Sequence, residues 1–319
     1  MKKNISEKII AIFIILLLFL IVYIRYKIIN LNDNSTQGQV KGLSDNKNEI
    51  SQIKITPLPE KINNVKPNIS AQNYVLIDVN SFYTLAEKKS HDVVPIASTT
   101  KIISAIVILE NYNLSDVITV SYDASTQIGS EVLLRTGEKV TVENLLKATL
   151  INSGNDAAYA LAENYPNGGL AGFIEAMNSK AKYLGMNDSK FLDPAGLDDN
   201  GKSSAYDLAI ASAYALRNET FTRIVKTTEA IITSTDGKIS HKLNNSNRLI
   251  QPDNLLFVPE SIGLKTGFTP DAGHCLVSAI KVNNNILVAV VLNTYENSAE
   301  ASAKENRKLL EWGMQNYKL

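Results

Sequence analysis

An α+β fold is expected: a mostly antiparallel five-stranded sheet flanked by helices, with a helical insert. Two strand-like runs stand near residue 75 and three more between 261 and 293, while helical periodicity dominates the stretch between them. The sheet is therefore completed by both ends of the body. Length and composition agree, because 319 residues, 45% hydrophobic and 20% charged, supply apolar material for one large core or two domains.

The first element is an apolar run. Ile9 to Ile24 is sixteen consecutive apolar or aromatic residues preceded by Lys2, Lys3 and Lys8. A full span needs about 20 residues, so length alone leaves signal peptide and membrane anchor both open. Two features favour the anchor. No small-x-small cleavage site follows, and Tyr23, Tyr26, Ile28 and Ile29 extend the run into the interface. Residues 1–8 are then a cytoplasmic tail, 9–29 a transmembrane signal-anchor and 30–70 a flexible linker, rich in Asn, Ser, Gln, Lys and Pro. The lysines before the span favour an inside N-terminus, so residues 71–319 hang outside the cell membrane.

Within that body, Tyr74–Val79 reads as a strand, Asn80-Ser81 as a turn and Phe82–Glu87 as the return strand. A buried helix starts around Ser98 and ends near Tyr112. Val117–Val120 is a short strand, and Thr141 opens a helix that breaks at Ser153-Gly154. Helices follow over Ala157–Glu163, Leu170–Leu184 and Ser203–Leu216, the last capped by Ser203 or Ser204. Lys190–Asp198 is a loop by its Pro, Gly and Asp content, and Val225–Thr233 reads as a strand by its β-branched content. Ser261–Phe268, Cys275–Val282 and Ile286–Asn293 are strands, and Ala299–Asn316 is a closing amphipathic helix.

Charge and cysteine content exclude several functions. With 32 basic against 32 acidic residues and no basic block, nucleic acid is not an expected partner. The single cysteine, Cys275, allows no intramolecular disulfide and no Cys-based metal site. His91, His241 and His274 are widely separated and lack the His-x-x-x-His spacing of a zinc peptidase. No metal or other cofactor is expected.

Chemistry concentrates in three motifs. Ser98 and Lys101 are three residues apart, which puts hydroxyl and amine on one helix face. A serine is a poor nucleophile until a base takes its proton, and a lysine is that base only when burial or a second cation lowers its pKa. Ser-x-x-Lys alone is weak, since Ser44/Lys47 and Ser278/Lys281 repeat it. Ser153-Gly154-Asn155 lies in a break between helices, and Lys265-Thr266-Gly267 lies on a strand whose glycine permits close approach.

In this order, Ser-x-x-Lys, Ser-x-Asn and Lys-Thr-Gly resemble the signature shared by class A β-lactamases and penicillin-binding proteins. From about residue 70 the chain resembles the serine D-alanyl-D-alanine carboxypeptidases among the latter. Pro194-Ala195-Gly196-Leu197-Asp198 with Ser204–Ala209, and Lys265–Thr269 with Ala272–Val277, are similar to that family's segments. The resemblance implies a β-lactamase/transpeptidase-like fold, removal of the terminal D-alanine from peptidoglycan pentapeptides, and trapping by β-lactams. It makes Ser98 the nucleophile, Lys101 its base and Ser153 a proton relay. Asn155, Lys265, Thr266, Gly267 and Phe268 bind substrate, with backbone N–H groups of Ser98 and Phe268 holding the oxyanion.

The chain departs from relatives in having Phe268 where histidine is common, and in lacking the arginine many carry after the last hairpin, around Tyr295–Glu300. The N-terminal span is expected to take over anchoring from the family's C-terminal amphipathic helix. One rival is a class A β-lactamase, disfavoured because Ser189–Asp199 offers aspartates and no glutamate, and Glu163 lies too near Ser153. The other is a non-catalytic wall-binding protein.

Overall fold

The computed structural model describes residues 57–294 and 298–319. The expected tail, the anchor and most of the linker lie outside the described residues. Among the described residues no helix is long and apolar enough to cross a membrane.

A five-stranded antiparallel sheet forms the centre. Its strands are β1 (Asn73–Asp78), β2 (Thr84–Lys88), β3 (Ser261–Thr269), β4 (Gly273–Val282) and β5 (Asn285–Thr294), in the spatial order β3-β4-β5-β1-β2. The α+β expectation and all five strands hold. β1 pairs with β5 from the far end of the chain, with Val75 opposite Val290.

Side-chain alternation along the strands explains their sequence. Val75, Ile77, Val277, Val288 and Val290 enter one apolar cluster, on the side of the inserted helices. Tyr74, Leu76, Leu276, Ala289 and Val291 enter a second cluster with Leu309 and Leu310 of the closing helix, Ala301–Asn316. Both faces are covered, so the central strands read as nearly continuous apolar runs rather than alternating ones. Each large side chain so buried contributes about 1.5–3 kcal/mol.

The insert supplies α1 (Lys101–Asn111), α2 (Val142–Ile151), α3 (Asn155–Glu163), α4 (Gly169–Tyr183), α5 (Ala205–Ala215) and α6 (Glu219–Val225). Thr141 caps α2 by accepting from the Asn144 N–H at 3.3 Å, and Ser204, not Ser203, caps α5 by accepting from Asp207 at 3.1 Å.

Two expectations need correction. Val225 ends helix α6, and the strand begins only at Glu229, pairing over Glu229–Thr233 with Ser240–Asn244. Asn218 accepts from the Phe221 N–H at 3.1 Å and starts α6, so a capping signal outweighed β-branched content. The linker does not run free to residue 70 either. Glu60–Lys61 pairs with Tyr317–Lys318, Trp312 Nε1 donates to the Val65 carbonyl at 3.0 Å, and Ile69 is buried.

Candidate active site

Ser98 sits in a 3₁₀ turn, Ala97–Thr100, that leads directly into α1. Ala97 has a left-handed φ of 47°, a bend that lifts the next side chain out of the helix line toward the cleft. Lys101 is the first residue of α1 and is fully buried. Its Nζ donates to Ser98 Oγ at 2.9 Å, to Asn155 Oδ1 at 2.7 Å and to the Ala195 carbonyl at 2.8 Å. Those three acceptors match the three donors of an ammonium, and a neutral amine there has a lone pair in place of one of them.

Burial pushes the Lys101 pKa well below the ordinary lysine range, and the neighbouring Lys265 charge lowers it further. Asp193 and Asp156 pull in the opposite direction and are outweighed. Lys265 is likewise buried, and desolvation lowers its pKa to about 7. Its Nζ donates to Ser153 Oγ at 2.9 Å and to the Thr266 carbonyl at 2.8 Å.

Ser153 stands between α2 and α3 with φ of 62°, strain of the kind stored at functional sites. Beyond it, α3 organises the opposite wall. Asn155 donates Nδ2 to the Ile128 carbonyl at 2.6 Å, and its backbone N–H reaches the Ser130 carbonyl at 2.7 Å. The buried Asp156 accepts from the Val132 and Leu134 N–H groups at 3.1 Å. The 128–134 loop is thus fixed over the cleft.

Gly267 explains itself sterically. A Cβ there would lie 3.1 Å from the amide nitrogens of Ser98 and Thr99 and 3.0 Å from the Ile96 carbonyl, so β3 touches the Ser98 turn. Thr266 Oγ1 shares a hydrogen bond of 2.5 Å with Ser246 Oγ. The Phe268 ring, 58% exposed, stacks on His274 at the rim with centroids 4.4 Å apart.

All eight predicted site residues therefore meet around one cleft of about 560 Å³ lined by Ser98, Ser153, Thr266 and Phe268. Sequence reasoning missed Ser246 and Arg248, which line the same cleft, and Asp193, which builds the loop beneath Lys101. Asp193 accepts from the N–H groups of Ala195, Gly196, Leu197 and Asp198 at 2.6 to 3.2 Å. An aspartate before Pro-Ala-Gly was the available signal.

A half-buried serine hydroxyl bonded to a buried lysine, with a second serine–lysine pair facing it beside an edge strand, has the layout of a serine enzyme with a lysine base. Residues 60–296 match the family model of D-alanyl-D-alanine carboxypeptidase, Peptidase_S11, and the chain belongs to that family of serine peptidases. The D-alanyl-D-alanine carboxypeptidase DacF of Bacillus subtilis (strain 168) is 38% identical over 228 residues, covering 69% of this chain and 57% of that protein. The chain thus spans little more than half the length of that relative. The D-alanyl-D-alanine endopeptidase of Escherichia coli (strain K12) is 32% identical over 243 residues, covering 74% of this chain and 76% of that one. The crystal structure of the Streptomyces K15 DD-transpeptidase superposes with a TM-score of 0.72 at 31% identity, covering 79% of this chain and 99% of its own.

Proposed function

We propose that the protein is a membrane-anchored serine-type D-Ala-D-Ala carboxypeptidase that removes the terminal D-alanine from peptidoglycan stem peptides, and that β-lactams acylate the same serine. The observation that carries this reading is the Lys101 amine, buried and 2.9 Å from Ser98 Oγ. Neutral Lys101 takes the Ser98 proton as Oγ attacks the carbonyl of the penultimate D-alanine. The oxyanion is held by the backbone N–H groups of Ser98 and Phe268. Ser153, bonded to Lys265, relays the proton held by Lys101 to the amine of the departing D-alanine as the C–N bond breaks, which leaves Ser153 protonated and Lys101 neutral again. Water then attacks the ester, with Lys101 again accepting a proton, and Ser98 is regenerated. Asn155 orients Lys101 through Oδ1 and keeps one Nδ2 hydrogen for the substrate backbone.

Nothing at the cleft favours rapid deacylation of a β-lactam. Among the described residues lining it there is no carboxylate, and Glu163 is occupied by Ser121 Oγ at 2.5 Å. The test is release of D-alanine from a pentapeptide, with fluorescent penicillin as a covalent probe. Stable labelling lost in Ser98→Ala, together with D-alanine release, is the expected result. Rapid turnover of the probe would make the protein a β-lactamase, and absence of labelling an inert binder. For the anchor, protease added to intact cells is expected to shave off residues 71–319, and protection would reverse the orientation.

A further inference from the structure

The chain enters the described body along its closing helix. Glu60–Lys61 pairs with Tyr317–Lys318, the Ile62 N–H donates to the Asn316 carbonyl at 2.8 Å, and Asn63 Nδ2 donates to the Gln315 carbonyl at 3.3 Å. Trp312 Nε1 then holds the Val65 carbonyl at 3.0 Å. Residues 60–65 are thus a strap bonded through its backbone to the last turns of the chain.

The strap's side chains have less to do. Leu58, Ile62 and Val65 are 62%, 59% and 63% exposed. One exposed aliphatic residue is ordinary, but three along one short strap make an apolar patch. Aromatic rings stand beside them. The partly buried Trp312 ring lies 5.8 Å from that of Tyr317, which lies 6.4 Å from the exposed ring of Tyr83. Charge on the strap is mostly positive. Lys61 and Lys66 are exposed and make no ion pair among the described residues, and Lys318 reaches the one carboxylate, Glu60, only at 3.9 Å. Aliphatic side chains, an indole, a tyrosine and flanking lysines suit a lipid headgroup layer, where the apolar parts leave water and the ammonium groups meet phosphate.

We propose that this strap, with Trp312 beneath it, is a docking surface that seats the body on an anionic lipid bilayer. The proposal rests on the membrane-anchor reading above and goes beyond it. Residues 30–56 can reach up to about 90 Å when extended, so an anchor alone does not bring the body to the lipid. The strap is where the described chain begins, downstream of the apolar run Ile9–Ile24, which makes lipid the nearest apolar surface to it. Seating also orients the molecule. Trp312 packs with the cluster under the closing helix, whereas Ile102 and Leu145 of the insert pack on the opposite face of the sheet. A body lying on the strap therefore turns the insert away from the lipid.

Trp312 is the sole tryptophan of the sequence, so its fluorescence reports on this spot alone. The full chain is reconstituted into phosphatidylglycerol-containing vesicles whose acyl chains are either brominated or plain, since bromine quenches an indole only at near-contact range. Brominated lipid is expected to cut the Trp312 emission by about twofold or more, as for an indole at the headgroup level. In the double variant Ile62→Asp, Val65→Asp the quenching is expected to disappear while the protein still floats with the vesicles and still labels with fluorescent penicillin, which reports an intact fold. Equal emission from the two kinds of vesicle, with the wild-type chain afloat, overturns the docking surface and leaves the anchor standing. Quenching that survives the double variant also overturns it, because lipid then reaches Trp312 without the strap. A wild-type chain that does not float with the vesicles defeats the anchor reading and this proposal together.

Discussion

Lys265 reaches Ser153 across 112 residues of sequence, its Nζ 2.9 Å from the serine Oγ, and both side chains are buried against the cleft wall. This contact links the edge strand of the sheet to the helical insert. It also places a second ammonium close enough to Lys101 to disfavour its protonation. The two lysines thus divide the labour by environment. Each is desolvated, but only Lys101 has the acceptors Asn155 Oδ1 and Ala195 O fixed beside Ser98.

Lys101→Ala removes the proposed base while leaving Ser98 in its turn. Acylation by fluorescent penicillin is expected to slow by about 10²–10⁴, the usual worth of a positioned general base. The cost to folding is smaller, about 1–3 kcal/mol, because Asn155 Oδ1 and the Ala195 carbonyl lose a buried donor. Labelling kinetics and urea midpoints on the same variant separate the two effects. Acylation at the normal rate would require a different base.

The pH profile of acylation has a sign that follows from the two lysines. Lys101 acts without its proton, so the second-order rate rises as pH climbs through its lowered pKa. Lys265 acts with its proton, as the cation that attracts the substrate, so the rate falls again as it deprotonates at about 7. Lys265→Arg keeps the positive charge at all working pH values. The falling limb is expected to vanish in that variant while the rising limb remains. A falling limb that survives the change belongs to some other group.

The sequence was most legible where a pattern repeats. Val75 and Leu76 belong to opposite clusters, and that strict alternation in a sheet covered on both faces made four of the five strands readable as apolar runs, while Thr84–Lys88 was readable from the turn before it. The serines and lysines of the proposed mechanism were legible because their spacing is fixed by local geometry, a turn before a helix and a strand edge. Arg248, Ser246 and Asp193 were not, because a single polar residue gains a role only from what the folded chain brings next to it. Ser240–Asn244 was missed for a similar reason: it carries one aliphatic side chain, Leu243, and pairs only through its hairpin partner. Glu60–Lys61 looked like linker because its partner strand lies at the opposite end of the chain.

Asp193 links the loop under the site to the charge of the base. Its carboxylate gathers the N–H groups of Ala195 through Asp198, and its field raises the Lys101 pKa against the larger effect of burial. Asp193→Asn sets an amide donor against those N–H groups and is expected to cost about 2–3 kcal/mol. It also removes a negative charge that favours protonated Lys101. The rising limb of the pH profile should therefore move to lower pH. An unmoved limb, in a variant that still folds, would mean that Asp193 acts on the loop alone.

Gly196 supports the nucleophile from below, and the reason is a contact rather than flexibility. Its φ is +76°, and a Cβ there would stand 2.0 Å from the Ala97 carbonyl oxygen and 2.7 Å from Thr100 Oγ1. Both belong to the turn that carries Ser98, and backbone cannot rotate away as a long side chain can. Gly196→Ala therefore combines the left-handed penalty of about 1 kcal/mol with displacement of the turn, for a total loss of more than about 2 kcal/mol. Acylation should fall more than about tenfold, since a misplaced nucleophile loses its alignment with base and carbonyl. Gly237 is the matched control, with φ of +73° and no atom within 4 Å of the place a Cβ would take. Gly237→Ala is expected to show the conformational cost alone, with labelling kinetics unchanged. Urea midpoints and penicillin labelling on the pair decide the matter: if Gly196→Ala proves no worse than Gly237→Ala in either measurement, the loop does not press against the Ser98 turn.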